Sequence, residues 1–407
     1  MSTYSQKPFS SVNPKGTIAI LTGGGDVPGL NPAIRAVTIR AIGEGYRVLG
    51  IRRGWSGLSN IRRERGADNS RCVQELTTET VRRVGRTGGT FLHSSRTLPS
   101  RIPAQFVPTH LVDTYGEACN DLTPEVLKNL EFLGIDTLIA IGGDDTLGYA
   151  VRLHKEGLAI IGIPKTMDND VPGTDYCIGF STCVTRVISL ADSLRTTAGS
   201  HERFLVMEVF GRYAGFTALL PTLAGAADRC VIPEHTFHMD DLCRLLVEDR
   251  LRNPSRYAVV LVSEGATFHG QDMVFEDTER DMFGHAKLGG IGELVARQLK
   301  RLSPRYGEKQ AINCISQKLG YLVRAGEPDS LDSIVPLTFG NLALDLILSG
   351  ISGRLVVLCN GRYGDKPIEE VTSHRKLINV EEYYHTERLR PLYKSFHNKP
   401  FMLLTGN

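Results

Sequence analysis

The stretch from Ile141 to Asp175, IGGDDTLGYAVRLHKEGLAIIGIPKTMDNDVPGTD, constrains this chain more than any other. It holds two strand-to-turn junctions, Gly142-Gly143-Asp144-Asp145 and Pro164-Lys165-Thr166-Met167-Asp168-Asn169-Asp170, with one helix-sized segment between them. Strands and helices that alternate in this way predict a mostly parallel sheet covered on both faces. Four carboxylates and one ammonium group then arrive at neighbouring strand ends, a costly arrangement unless a metal ion or a phosphate uses it. Ligands in such folds sit outside the carboxyl ends of the strands. The bland alternative is that Asp168-Asn169-Asp170 forms an Asx-type turn without chemistry; a second acidic turn and Lys165 argue against it.

The flanking chain keeps the same rhythm. Thr17–Leu21 reads as a strand running into the glycine turn Thr22-Gly23-Gly24-Gly25-Asp26 and a helix from Asn31 to about Ala41. Glycines there let backbone N–H groups approach an anion, although such turns also occur purely for tight packing. The spacing fits neither GxGxxG nor GxxxxGK[ST]. Gly54–Leu58 reads as a turn, residues 60–120 have poor periodicity, 266–286 reads as a loop, and helices are expected over Thr146–Glu156, Phe180–Thr197, Ile291–Arg301 and Gly340–Ser349.

At 407 residues the chain exceeds what one hydrophobic core usually serves, so two lobes of about 100–200 residues are expected. Net charge is +2, from 47 basic and 45 acidic side chains, which leaves no global field to recruit nucleic acid or an anionic membrane. Any anionic ligand must meet a local cluster. Eight cysteines without a CxxC pair predict neither zinc nor a disulfide framework, and point to reduced thiols in a cytoplasmic protein. The N-terminus has no apolar signal region, and no apolar run is expected to reach the ~20 residues of a membrane span.

As chemistry, Asp144 in its glycine turn suits Mg²⁺, a hard cation that takes one or two carboxylates plus phosphate oxygens. Asp168 and Asp170, two apart, can divide the work of general base and metal support. Lys165 can neutralise a phosphate, and the loop Gly88–Thr97 can aim Arg96 at one.

These residues, together with TGGGDVPGLN at 22–31, GGTFLHSSR at 88–96, GTDYCIGFST at 173–182, EVFGRYAG at 208–215 and SEG at 263–265, make the chain resemble the phosphofructokinases over about Thr17 to Leu358. The resemblance implies two similar Rossmann-like three-layer α/β lobes. They would comprise 17–175 plus part of 325–350 for the phosphoryl donor and 176–324 plus 351–380 for the sugar phosphate, with an arm at 1–16 and a tail at 381–407. It implies Mg²⁺ on Asp144 and Asp170, and Asp168 as the base for the 1-hydroxyl of fructose 6-phosphate. Gly25 and Arg96 would meet the transferred phosphoryl group, and Thr166 the sugar or that group. Phe210, Gly211, Arg212, Glu264, Tyr321 and Arg324 would form the sugar-phosphate side. Arg203 matches an arginine that the family supplies from a neighbouring subunit, so a homodimer or homotetramer with shared sites is implied.

For the donor, Asp145 stands where ATP-using members carry a second glycine, and Lys165 where bacterial ATP enzymes have glycine. This pair resembles the pyrophosphate-dependent members. Three alternatives stay open: an ATP-dependent enzyme, a pyrophosphate-dependent kinase of another ketose phosphate such as sedoheptulose 7-phosphate, and a non-catalytic sugar-phosphate sensor. An NAD or lipid kinase, suggested by the GGDD turn alone, is disfavoured by PKTMDND and EVFGRYAG. Departures from the family pattern are Phe210 for Met, Tyr321 for His, Val323 and Ala325 in the usual QRGG run, and Ile315 where a second cross-subunit arginine is usual. Ile39 replaces an effector-site arginine.

Overall fold

Alternation along the first strand sets both faces of the larger sheet. In β1 (Thr17–Thr22), Ile18 and Ile20 enter one buried cluster, whereas Ala19 and Leu21 enter another, as a two-residue side-chain period requires. The computed structural model describes residues 14–280, 286–307 and 310–399. Most of the expected N-terminal arm and the last residues of the expected tail lie outside these.

From β1 the chain runs through α1 (Leu30–Gly43), β2 (Arg47–Ile51), α2 (Gly54–Ser59), β3 (Val73–Glu75), α3 (Thr78–Val81), and the short pair β4 (Ile102–Pro103) and β5 (Cys119–Asn120). It continues with α4 (Thr123–Phe132), β6 (Thr137–Gly142), α5 (Asp144–Lys155) and β7 (Ala159–Pro164). A second lobe follows: α6 (Phe180–Ser200), β8 (Phe204–Val209), α7 (Phe216–Leu223), β9 (Arg229–Val231), α8 (Met239–Arg252), β10 (Ala258–Ser263), β11 (Phe275–Arg280), β12 (Ala286–Leu288), α9 (Ile291–Leu302) and β13 (Cys314–Lys318). The last elements are α10 (Leu331–Leu348), β14 (Arg354–Cys359), β15 (Arg362–Pro367), α11 (Val380–Tyr383), β16 (Tyr384–His385) and β17 (Arg390–Pro391).

The larger sheet has seven strands in the order β15-β14-β7-β6-β1-β2-β3, parallel except that each edge strand runs antiparallel to its neighbour. The smaller has four parallel strands in the order β13-β8-β10-β9. This is the expected α/β class, with one lobe larger than the other.

Four expectations need correction. Residues 351–380 do not all join the second lobe, because β14 pairs with β7 in the first, Arg354 opposite Ile161 and Leu355 opposite Gly162; the apolar run Leu355–Leu358 suits either sheet equally. Gly54–Leu58 is helical rather than a turn, since Trp55 and Leu58 bury beneath the sheet and Trp55 meets Tyr149 edge-on at 4.9 Å between ring centroids. The described residues of the expected loop 266–286 carry β11 and the first residue of its antiparallel partner β12, while 281–285 lie outside the described residues. Finally, α10 begins at Leu331 instead of Gly340, with Pro336 inside it.

Helix α10 also has the length and composition of a membrane span, with a mean hydropathy of 1.5. Here it packs on α1: a Cβ on Gly340 would lie 3.0 Å from the Ala33 carbonyl and from Ala36 Cβ. In its first turn the buried Asp332 carboxylate accepts hydrogen bonds from Tyr176 Oη at 2.6 Å, Gly179 N at 2.7 Å, Thr182 N at 2.8 Å and Thr182 Oγ1 at 2.6 Å. One side chain thereby fastens α10 to the start of α6, which leads into the second lobe. Removing it strands four donors in the interior, so Asp332→Ala should lose roughly 3 kcal/mol or more of stability, read as a lowered urea midpoint.

Candidate active site

Two glycine turns interlock at the carboxyl ends of β1 and β6. Gly23 N donates to the Ile141 carbonyl at 3.0 Å, and the Thr146 side chain fills the space between the turns. A Cβ on Gly23 would fall 2.4 Å from Thr146 Oγ1, and one on Gly142 2.3 Å from Thr146 Cβ. Neither position accepts a side chain. The loop carrying Arg96 is pinned to the same corner: Gly24 N donates to the Ser95 carbonyl at 2.9 Å, the Ser94 hydroxyl to the Gly24 carbonyl at 2.6 Å, and Phe91 N to Asn31 Oδ1 at 3.0 Å.

The second acidic turn is shaped by its central residue. Asn169 takes the left-handed conformation with φ 55°, its amide nitrogen donates to the Asp175 carbonyl at 3.0 Å, and its Oδ1 accepts Cys177 N at 2.8 Å. Asn169 is therefore the structural asparagine of the turn, and its neighbours Asp168 and Asp170 line a cleft. Lys165, only 4% exposed, crosses toward the first turn, where its ammonium donates to the Gly25 carbonyl at 2.8 Å.

The cleft, about 460 Å³, lies between the lobes and is lined by Gly25, Arg96, Asp144, Asp145, Lys165, Thr166, Asp168, Asp170, Phe210, Arg212, Glu264 and Arg324. Asp168 accepts the Arg212 N–H at 3.3 Å, and its own N–H donates to Thr166 Oγ1 at 3.2 Å. On the second lobe Gly211, at φ 124°, shapes the loop whose carbonyl accepts Gly265 N at 3.1 Å. The Arg324 guanidinium lies 5.0 Å from the Phe210 ring centroid and 5.8 Å from that of Tyr321, with its buried Nε making no hydrogen bond.

Burial pushes Asp144 up to about 7, with Asp170 and Asp145 adding like charge. Its side chain reaches solvent, but that solvent lies inside the cleft between two lobes. Burial, Asp170 and Glu264 hold Asp168 well above the usual carboxylate range, and burial also raises Asp170 and lifts Glu264 to about 7. Burial, with Arg324 nearby, lowers Lys165 to about 8. One half of the cleft thus favours an added cation and the other an added anion. Among the described residues, no three His, Cys, Asp or Glu side chains converge closely enough to cage a metal. A cation here would take one or two carboxylates and complete its shell with water and ligand oxygens, as Mg²⁺ does.

A family model for phosphofructokinase matches residues 17–347. This chain belongs to the phosphofructokinase family. It is 38% identical over 369 residues, 90% of this chain and 97% of the relative, to the pyrophosphate–fructose 6-phosphate 1-phosphotransferase of Streptomyces coelicolor. It is 37% identical over 343 residues, 84% of this chain and 90% of the relative, to ATP-dependent 6-phosphofructokinase 3 of the same organism. Among solved structures, phosphofructokinase from Saccharomyces cerevisiae superposes with a TM-score of 0.69 at 25% identity, covering 88% of this chain and 45% of the yeast chain. The chain therefore spans under half of that yeast chain. As a phosphofructokinase it is a phosphotransferase.

Within this phosphofructokinase, several residues singled out from sequence do not line the cleft, Gly211 among them. Arg203 precedes β8, at the opposite end of that strand from the cleft, and Ile315 lies close by, paired with Leu205. Tyr321 stands at the rim, 79% exposed beside Arg324. Gly211 shapes the loop beneath the site. Sequence reasoning missed Thr146 as the spacer and Tyr213 and Arg375 as lining residues. Thr146 and Tyr213 fall inside quoted motifs, whereas Arg375 sits in a charged stretch with no motif at all.

The raised Asp144 has a thermodynamic sign. Its folded pKa of about 7 lies above the ordinary 3.8, so its contribution to stability is complete below about pH 4 and is lost as pH rises through about 7. Asp144→Asn, which stays neutral, should therefore gain in Tm relative to the parent as pH rises from about 5 to about 8 in chelator, measured by scanning calorimetry. A difference that does not change with pH would contradict the raising of Asp144 by burial and like charge.

Proposed function

We propose that this protein is a pyrophosphate-dependent phosphofructokinase, transferring a phosphoryl group reversibly between inorganic pyrophosphate and the 1-hydroxyl of fructose 6-phosphate with Mg²⁺ as the metal. The carrying observation is the pairing of Asp145 with Lys165 in one cleft. Asp145, in the first turn of α5, brings bulk and negative charge where ATP-using relatives keep glycine for the nucleotide's α-phosphate. Lys165 supplies a desolvated cation for a short donor.

In this reading Asp168 takes the proton of the sugar 1-hydroxyl, and the oxygen bonds to the near phosphorus. The bond to the bridging oxygen breaks, and its electron pair leaves with the second phosphate. The environment that raises Asp168 makes it a stronger base in this direction and a ready acid in reverse. Gly25 N–H, Arg96 and Lys165 offset charge on the transferred group, and Thr166 orients it, consistent with a reaction governed by positioning and charge neutralisation. Asp144 and Asp170 would hold Mg²⁺, which when bound neutralises donor oxygens. Arg212, Glu264 and Arg324 would receive the sugar phosphate beside Phe210, with Tyr321 at the rim. Arg203 would reach the site of a neighbouring subunit, which supports a dimer or tetramer.

The similarity to an ATP-dependent relative keeps ATP as the rival donor, and Ile315 keeps sedoheptulose 7-phosphate as a rival acceptor. Assaying the purified protein with each donor and acceptor decides between them: turnover with ATP and none with pyrophosphate would overturn the proposal. Asp145→Gly should admit measurable ATP use, with pyrophosphate still accepted. Asp168→Ala should lower kcat about 10³-fold while leaving substrate binding within about threefold; a kcat within about tenfold of the parent's would remove the base assignment.

A further inference from the structure

Beyond the residues matched to the family, the segment following β15 crosses the cleft. It is anchored on both sides. Lys376, 4% exposed, donates from its ammonium to the Thr174 carbonyl at 2.7 Å. Two residues on, Ile378 N donates to Glu234 Oε1 at 2.9 Å, and the same carboxylate accepts Gly215 N at 3.1 Å in the second lobe. Immediately before the first anchor, Arg375 is held over the Tyr213 ring, its guanidinium carbon 3.8 Å from the centroid. Both Arg375 and Tyr213 line the cleft that contains Asp144, Asp145 and Lys165.

The end of the cleft that Arg375 serves follows from where its segment is anchored. Its neighbour Lys376 is tied to the Thr174 carbonyl in the first lobe, one residue before Asp175, whose carbonyl accepts the Asn169 amide of the turn that carries Asp170. Arg375 therefore belongs to the donor half. Lys165 and Gly25 occupy the side of that half next to the first glycine turn, and Arg375 approaches from the opposite lobe. A guanidinium stacked on an aromatic face is preorganised for a phosphate's paired oxygens.

We infer that Arg375 is a donor-binding residue that grips the phosphate left behind when pyrophosphate gives up its other phosphoryl group. This rests on pyrophosphate being the donor. The cation in this role comes from a segment beyond residues 17–347, the span of the family match, and is fixed by the buried Lys376 beside it.

The test is titration calorimetry of magnesium pyrophosphate, and separately of fructose 6-phosphate, into the full-length parent, Arg375→Gln and Arg375→Lys. Loss of a charge-assisted contact should weaken pyrophosphate binding roughly tenfold or more in Arg375→Gln, with fructose 6-phosphate affinity within about twofold and Arg375→Lys recovering part of the loss. In the reverse reaction the KM for orthophosphate should rise with it. Pyrophosphate affinity unchanged within twofold, or both substrates weakened alike, would overturn the assignment. If Arg375→Gln does not fold, Arg375→Lys and Tyr213→Leu, which removes the platform and keeps the charge, decide on the same criteria. A parent protein that binds ATP and not pyrophosphate fails the donor reading and this assignment with it. A parent that binds pyrophosphate as tightly as Arg375→Gln fails this assignment alone.

Discussion

Thr146 wedged between Gly23 and Gly142 is the contact on which the rest of the site depends. Parallel strands in a sheet stand about 4.8 Å apart, and turns of ordinary residues at their ends would splay to make room for side chains. Here two turns share one threonine, so the glycine loop after β1 and the acidic turn after β6 form a single surface. The loop bearing Arg96 then docks by backbone and hydroxyl hydrogen bonds to Gly24. Lys165, coming from the next strand, reaches a carbonyl of the first turn. Four separate segments are registered to one another before any ligand arrives.

That registration brings together charges that resist it. Asp144, Asp168 and Asp170 are all pushed toward neutrality and Lys165 toward losing its proton. A folded protein gains nothing from such a cluster by itself. What the cluster provides is a large difference between the empty and the loaded cleft, since bound cation and anion each relieve a repulsion or a desolvation already present. Preorganised charge of this kind acts without rearrangement at the moment of reaction.

The parts of this molecule legible in the sequence are those where the residue's identity is itself the requirement. Gly142, Gly143, Asp144, Asp168 and Gly211 announce themselves because nothing else serves at a turn so close or a site so charged. The α/β class was legible from apolar runs of strand length alternating with helical segments. Illegible were properties that depend on what arrives from afar. The strand Arg354–Cys359 carries nothing that names its partner, and only the free edge of β7 assigns it. Arg375 looks like surface charge until Lys376 and Ile378 fix its path. Pro336 reads as a helix stop, yet α10 continues through it because Asp332 and the contact with α1 hold both sides. Asn169 shows why two readings of one turn were compatible: the Asx geometry belongs to the middle residue, leaving the flanking aspartates for the cleft.

The return of the chain to β7 sets an order of events during synthesis. Strand β7 ends at Pro164, but its partner β14 begins only at Arg354, so the ribosome delivers all four strands of the second sheet while the edge of the first stands unpaired. An open edge of that kind invites pairing with the wrong strand, and domains of growing chains generally fold in the order in which they emerge. This chain cannot follow that order to completion, because its first sheet is finished only after the strands of its second have been made. The first lobe's opening strands wait on residues that follow the second lobe's sheet, and the nascent protein carries an open sheet edge from Pro164 until Arg354 emerges.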